Sequence, residues 1–322
     1  MAVHLITGGA GFIAVNLTSR LLAAGDTVLA ADDLSRGRQE FLKAFEDNPR
    51  FTFMKLNCSV YEGYVEPLKA FHAHTPITEV WHFAANSDIP AGVADPRIDL
   101  EQTFMTTFAT LLVMRELKIP ALHFASTSAV YGDLKDQAIS ELSGPPEPIS
   151  NYGAMKLASE AQIRASVESH LDRSNIFRFP NVIGVPATHG VIFDFVHKLR
   201  ASGNVLDVLG DGTQQKAYLH VDDLIDAMLF VRENAQGRFN IFNLGPPDDG
   251  ITVREIAEAV RDLVASNAKI QFGVGNRGWV GDVPRFRYDI GKIKRLGWSP
   301  AMGSKDAIKK AVVQIVKQEV GE

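Results

Sequence analysis

Val3-His-Leu-Ile-Thr7-Gly8-Gly9-Ala10-Gly11-Phe12-Ile13-Ala14 is the stretch that decides the fold. Val3 to Thr7 is a short apolar run that stops at a glycine, the pattern of a buried strand in a parallel sheet. From Phe12 to Ala24 the period changes. Ile13, Leu17 and Leu21 recur at four-residue steps, and Gly25 offers a helix C-terminal stop. Thr27 to Ala31 is a second apolar run, followed at once by Asp32 and Asp33. Strand, glycine turn, helix, strand and acid make a βαβ unit of about thirty residues.

Glycines in such a turn let the backbone approach a pyrophosphate, while the helix N-terminus offers amide donors and a partial positive charge. The strand before, the helix after and the acid about twenty residues on match a dinucleotide-binding fingerprint. Ala14 takes the place of the usual third glycine, an allowed variant. Asp32 can accept hydrogen bonds from ribose hydroxyls and would repel a 2′-phosphate, which favours NAD over NADP. Arg36 and Arg38 follow closely and are read as a solvated loop.

The alternation continues outward. Phe51–Lys55, Val80–Ala84, Ala121–Ala125 and Asn175–Phe179 read as strands, with helices over Val60–Ala73, Leu100–Leu117 and Tyr152–Ser169. The fold class is therefore α/β, a Rossmann doubly wound parallel sheet. After Asn181 the pattern loosens into short strands at Val205–Leu209, Phe239–Leu244 and Lys269–Phe272. Thr252 and Glu255 form a capping box that opens a helix through Val264, and Ala301–Val320 reads as a terminal helix. Residues 1–180 are expected to form the NAD-binding domain, with segments around 215–245 returning to it. Residues 181–322 are expected to form a smaller α/β substrate lobe.

Composition narrows the partners. The 322 residues are 46% hydrophobic and 22% charged, near globular averages, which excludes a disordered or fibrous chain. The net charge of −5, with no Lys/Arg block, lacks a nucleic-acid footprint. No apolar run is long enough for a membrane helix, and the N-terminus lacks the basic and apolar regions of a signal peptide. The lone Cys58 rules out an intrachain disulfide, and a cytoplasmic location is expected. Nine histidines and 38 acids show no metal-ligand spacing such as HExxH, so no metal is expected.

Chemistry concentrates in two places. Tyr152-Gly-Ala-Met-Lys156 puts a phenol and an ammonium at i and i+4, on one helix face. A free phenol is a poor base at neutral pH. A neighbouring cation is expected to favour phenolate and lower its pKa. Ser126-Thr127-Ser128 ends a strand, where ligands of doubly wound sheets bind. His82, on a strand, and His220 with Asp222 and Asp223 read as structural.

Thr7–Ile13, Asp32, His82–Ala85, Val130-Tyr131-Gly132, Tyr152–Lys156 and Arg178–Asn181 together resemble the extended short-chain dehydrogenase/reductase family, which holds the nucleotide-sugar epimerases and dehydratases. The resemblance covers essentially the whole chain. It runs on through Gly210-Asp-Gly-Thr-Gln, Tyr218-Leu-His-Val and Gly281-Asp282. His189-Gly-Val-Ile-Phe-Asp-Phe and Arg277-Gly-Trp-Val-Gly-Asp282 resemble enzymes of the UDP-glucose 4-epimerase type.

That resemblance implies an NAD-dependent nucleotide-sugar 4-epimerase of the UDP-glucose/UDP-galactose type. It implies that Tyr152 is the acid–base group, that Lys156 orients the cofactor ribose and that Thr127 shares the substrate proton. It implies a cofactor site of Gly8, Gly11, Phe12, Ile13, Asp32, Asp33, Asn57, Cys58, Phe83, Ala84, Ala85, Tyr152, Lys156 and Phe179. It implies substrate contacts from Thr127, Tyr152, Asn181, Val191, Ile192, Lys216, Arg277 and Asp282.

Related dehydratases look like Thr-Asp-Glu, and decarboxylases like Thr-Ser-Glu, where this chain has Thr127-Ser128-Ala129. The carboxyl groups that eliminate water or assist decarboxylation are missing there. Other departures touch recognition: Lys216 and Trp279 stand where phosphate-binding arginines are usual, Asn57 replaces an aspartate and Thr103 an asparagine. A related dehydratase, decarboxylase or reductase remains the alternative within enzymes, and a dinucleotide-sensing binding protein the alternative outside them. The resemblance also implies a homodimer paired through Phe104–Leu117 and Lys156–Val167, with Phe108, Leu111, Leu112 and Leu117 facing the partner or the core.

Overall fold

The predicted alternation assembles one central sheet in the computed structural model, which describes residues 1–134, 137–275 and 287–321. Its strands are β1 (Val3–Thr7), β2 (Thr27–Asp32), β3 (Phe51–Lys55), β4 (Glu79–His82), β5 (Ala121–Thr127), β6 (Arg173–Phe179) and β7 (Phe239–Asn243). Their order across the sheet is β7-β6-β5-β4-β1-β2-β3. The pairs β1–β2, β1–β4, β2–β3 and β4–β5 are parallel, with Leu5 opposite Leu29 on one side and Val80 on the other. The chain runs outward from β1 through β2 and β3, then crosses back to β4. The carboxyl ends of β1 and β4 therefore flank the switch point where doubly wound sheets bind ligands.

Six helices belong to this layer: α1 (Phe12–Ala23), α2 (Tyr61–His74), α3 (Ile89–Ala94), α4 (Pro96–Asp99), α5 (Met105–Leu117) and α6 (Asn151–Ser169). Leu5, Leu29, Val80, Leu122 and Phe124 from the strands pack with Leu68, Met114, Ile163 and Val167 from the helices. The single helix expected over Leu100–Leu117 is not what forms. A π-helical turn over Leu100–Phe104 separates α4 from α5. Thr106 Oγ1 bonds to the carbonyls of Ala84 and Thr103, and Thr107 Oγ1 to that of Thr103. Such hydroxyls compete with the helical ladder. β5 runs two residues beyond the expected strand and so includes Ser126 and Thr127.

The described residues divide into two compact units. The first holds residues 1–132, 144–178 and 229–242, so β7 returns to the sheet from late in the chain. The second holds α7 (Val191–Ser202), the start of α8 (Val221–Asn234), α9 (Val253–Val264), α10 (Gly291–Leu296) and α11 (Ser304–Val320). Its two-stranded pairs join Asn181–Ile183 to Tyr218–His220, Val205–Val208 to Lys269–Phe272, and Gln215–Lys216 to Ile251–Thr252. Val196, Leu199, Leu206, Ile256, Val260, Ile308 and Val312 form its core. The Thr252–Glu255 capping box is present at the start of α9. Among the described residues, no helix is long and apolar enough to cross a membrane.

Candidate active site

The glycine turn divides its labour. Gly8 has φ +66°, and a Cβ there would stand 2.8 Å from the Ala84 nitrogen. A Cβ on Gly9 would stand 2.7 Å from Ala30 Cβ. These two residues let the turn press against the neighbouring strands. A Cβ on Gly11 would meet only the Gly8 carbonyl, at 3.1 Å. Gly11 opens α1 with no side-chain cap, so the first-turn amides of Phe12 and Ile13 are left to an anion.

Asp32 closes the cradle at the end of β2. Its Oδ2 accepts from Ala10 N at 3.0 Å and its Oδ1 from Leu34 N at 2.8 Å. Each carboxylate oxygen keeps capacity for a ribose hydroxyl. Burial pushes its titration up against those two bonds. Arg36 is committed elsewhere, donating to Asp88 Oδ2 at 2.9 Å. Asp33 is exposed and accepts from Ser35 N. Asn57 folds its side chain onto Ser59 N and Oγ. Cys58 is buried, and burial, with the Asp32 charge, pushes its thiol up to about 12. Phe83, Ala84 and Ala85 follow β4 and are half-buried, with Ala84 N donating to Thr7 Oγ1 at 3.3 Å. Phe179 ends β6. An uncapped helix start, a glycine cradle and a carboxylate with spare lone pairs fit a dinucleotide.

The second cluster grows from the ends of β5 and α6. Ser150 Oγ caps α6 by accepting from Gly153 N at 3.1 Å. A Cβ on Gly153 would stand 2.6 Å from the Ala129 carbonyl oxygen, so glycine lets α6 approach the segment after β5. Thr127 Oγ1 accepts from Ala129 N at 3.1 Å, and its hydroxyl draws the titration of the Tyr152 phenol down. Lys156 is 2% exposed and donates from Nζ to the Ala125 carbonyl at 2.7 Å. Its ammonium stands 4.6 Å from the Phe124 ring centre and 5.8 Å from that of Tyr152. Burial lowers the Lys156 titration to about 7, against the pull of Glu160.

The lowered phenol pKa expected from Lys156 does not appear. Burial pushes the Tyr152 phenol well above its usual value, the Asp99 charge adds to that, and the Thr127 hydrogen bond opposes. In this protein-only environment desolvation of the phenolate outweighs the help of its neighbours. The structural reading of His82 matches its surroundings. Its Nδ1 lies 2.6 Å from Thr7 Oγ1 and its Nε2 3.0 Å from Thr107 Oγ1, and burial lowers it to about 3.

Three groups in this region were not read as functional from the sequence. Glu160 lies one further helical step beyond Lys156. It accepts from Arg178 Nε at 2.9 Å and Nη2 at 2.5 Å, and from Ser126 Oγ. The i, i+4, i+8 spacing of Tyr152, Lys156 and Glu160 was the available signal. Asn151, which donates to the Gly92 carbonyl, and Asp99 carried no such signal.

Other expected substrate residues belong to the second unit. Asn181 is exposed at the start of its short strand, opposite Tyr218. Val191 opens α7 after Gly190, which has φ +102° and no side-chain cap bond. The Ile192 side chain is buried in the core of the unit. Lys216 is half-buried opposite Ile251. His220 bonds to Gln314, and Asp223 accepts from Ala301 N and Met302 N, in keeping with structural roles. Arg277, Trp279 and Asp282 lie outside the described residues.

A sequence profile described as the NAD dependent epimerase/dehydratase family matches residues 4–245. The chain belongs to this family. It is 31% identical over 316 residues to a UDP-glucose 4-epimerase of Mycolicibacterium smegmatis, covering 96% of each chain. The structure of Thermus thermophilus UDP-glucose 4-epimerase in complex with NAD superposes with a TM-score of 0.84 at 26% identity, over 97% and 98% of the two chains. A dTDP-glucose 4,6-dehydratase of Streptomyces venezuelae, with NAD bound, reaches a TM-score of 0.85 at 27% identity, over 98% and 97%. The protein is thus an NAD-dependent enzyme of the epimerase/dehydratase family with an α/β Rossmann-type sheet.

Proposed function

We propose that the enzyme inverts C4 of a nucleotide sugar, a UDP-hexose of the UDP-glucose/UDP-galactose type. The observation that carries this reading is the cluster of Thr127, Tyr152 and Lys156 beside Ala129. This residue has no carboxyl group, and its carbonyl packs against Gly153. Inversion at C4 needs one acid–base group that removes a proton and later returns it. Elimination of water or loss of carbon dioxide calls for further carboxyl chemistry, which Ala129 cannot supply.

In this reading Tyr152 takes the proton of the sugar 4-hydroxyl and later gives it back to the 4-keto oxygen. Thr127, whose hydroxyl acts on the phenol, would hold the same oxygen in line. Lys156 is held by the Ala125 carbonyl and would orient the cofactor ribose. Bound NAD supplies a reversible hydride acceptor for C4. Gly8, Gly11, Phe12 and Ile13 would hold its phosphates, Asp32 and Asp33 its ribose, Asn57 and Cys58 its adenine side, and Phe83, Ala84, Ala85 and Phe179 its remaining flank.

The domain proposal assigns residues 1–180, with 215–245, to NAD and residues 181–322 to the nucleotide sugar. Asn181, the amides of Val191 and Ile192, Lys216 and Arg277 would take the diphosphate, and Asp282 the sugar-nucleotide ribose. A lysine at 216 offers a point charge where an arginine would offer a fork, so this site favours positioning by several weak contacts. A cytoplasmic setting suits a chain whose one thiol is buried.

The dinucleotide-sensor reading loses ground to the complete acid–base cluster. A homodimer through Phe104–Leu117 and Lys156–Val167 is supported by half-buried Phe108 and Leu112, while Leu111 and Leu117 serve the core. Light scattering checks it: a particle of twice 35.2 kDa is expected, and a monomer at micromolar concentration contradicts it.

The test of the reaction is incubation with UDP-, GDP-, CDP- and dTDP-hexoses and with a UDP-hexuronate, read by mass spectrometry and proton NMR. A C4 epimer of unchanged mass with no accumulation of reduced cofactor is expected from a UDP-hexose. A product lighter by water or carbon dioxide would sink the proposal in favour of the dehydratase or decarboxylase reading.

A further inference from the structure

The buried ion pair of Glu160 and Arg178 touches no reacting group. Both residues are 4% exposed. The guanidinium forks onto the carboxylate, with Nε 2.9 Å from Oε1 and Nη2 2.5 Å from Oε2. A pair so enclosed adds little to stability, because the cost of desolvating two charges offsets their attraction. What the fork does supply is fixed geometry. The pair grips the end of β5 and the turn after it at two points. Ser126 Oγ donates to Glu160 Oε1. The Arg178 guanidinium lies 4.8 Å from the ring centre of Tyr131, which closes the turn over Ser128–Tyr131. The neighbours of Ser126 are the residues that serve the acid–base groups. Ala125 gives its carbonyl to Lys156 Nζ at 2.7 Å. Thr127 accepts from Ala129 N at 3.1 Å, and the Ala129 carbonyl packs against Gly153, next to Tyr152.

We propose that Glu160 is a positioning residue for the acid–base cluster: clamped by Arg178, its carboxylate holds Ser126 and so fixes the Ala125 carbonyl against the Lys156 ammonium and Thr127 in its place. This role deepens the reading of Lys156 and Thr127 given above and rests on it. The strand end needs such a hold. The pairing of β5 with β4 stops at Phe124, opposite His82, so Ala125, Ser126 and Thr127 run on past that neighbour. Lys156 needs its acceptor just there, since a buried ammonium without one is costly. Lys156 and Glu160 stand four residues apart on α6, on one face. The helix that carries the ammonium therefore also grips the strand that carries its acceptor. Donor and acceptor are tied to one frame.

Glu160→Gln would leave Arg178 buried without its counter-ion, a change large enough to unfold a chain. The decisive variant is therefore Ser126→Ala. It deletes one hydroxyl, keeps the ion pair and changes no charge. The titratable neighbours of Lys156 are Tyr152 and Glu160 on its own helix and His82 on β4, and all three are retained. Any movement of the Lys156 titration then reports geometry. The readout is the carbon-13 signal of lysine labelled at Cε in the NAD-loaded protein, with Lys156→Met to assign it. A carbonyl that accepts from an ammonium favours the charged form, so loosening Ala125 is expected to lower the Lys156 midpoint by about one pH unit. An unmoved or raised midpoint would overturn the proposal. So would a lower urea midpoint with the Lys156 titration in place, the signature of a brace that serves stability alone. The titration needs no sugar substrate, so a failed brace and a failed nucleotide-sugar reading are told apart.

Discussion

Tyr152 and Lys156 share a helix face, yet burial drives their titrations apart. Burial raises the phenol and lowers the ammonium to about 7. Both shifts favour the neutral forms. Replacing Tyr152 by Phe removes the proton carrier and little volume. Turnover is expected to fall by about 10² to 10⁴, while NAD affinity measured by calorimetry stays within a few-fold. Activity within tenfold of the unsubstituted enzyme would contradict the assignment. These two residues were legible from the sequence because their spacing is local. The Asn151 bond to the Gly92 carbonyl was not, because it joins residues remote in the sequence.

Strand starts were legible to within a residue or two, the small shifts falling at polar residues. β4 begins at Glu79, a charge that a sequence reading leaves outside the strand. Arg232 of α8 pins it there, with Nε 2.9 Å from Oε2 and Nη2 2.5 Å from Oε1. The pair anchors a buried polar row across five strands. Trp81 Nε1 donates to His4 Nδ1 at 3.2 Å, and His4 Nε2 lies 3.1 Å from Asp26. His123 Nε2 lies 2.7 Å from Glu79 Oε2, and Asn175 Nδ2 lies 3.2 Å from His123 Nδ1. Asn240 Nδ2 donates to Asn175 Oδ1 at 2.9 Å. Each imidazole can satisfy both neighbours as the neutral Nε2–H tautomer. Burial lowers the titration of His4, His82 and His123. For Glu79 burial acts the other way, but the bonds from His123 and Arg232 outweigh it and keep the carboxyl below its usual range. The signs agree. Below about pH 6.5 the unfolded histidines bind protons that the folded ones refuse, at about 1.4 kcal/mol per pH unit each. Below about pH 4.5 the unfolded Glu79 adds to the same loss. The urea midpoint is therefore expected to fall steadily between pH 7.5 and 5.5. A flat or rising midpoint would contradict the neutral-histidine row.

At the scale of the whole molecule, the first unit was the readable half. Its strands, glycine turn and Asp32 follow from local periodicity and from one fingerprint, and β7 joins it only because the chain folds back. The second unit was harder to read, since two-residue strands such as Gln215–Lys216 carry no period of their own. The π-helical turn before α5 was hidden for a similar reason, because threonine hydroxyls and not hydrophobic spacing shape it. Near neighbours of similar fold include both an epimerase and a dehydratase, so the fold does not choose the reaction. The choice rests on what happens at C4. The most direct measurement uses UDP-glucose carrying deuterium at C4, incubated with the NAD-loaded enzyme in ordinary water. The account predicts the C4 epimer with deuterium still on C4 and an unchanged mass. An epimer with solvent hydrogen at C4, or a product lighter by water, would contradict it.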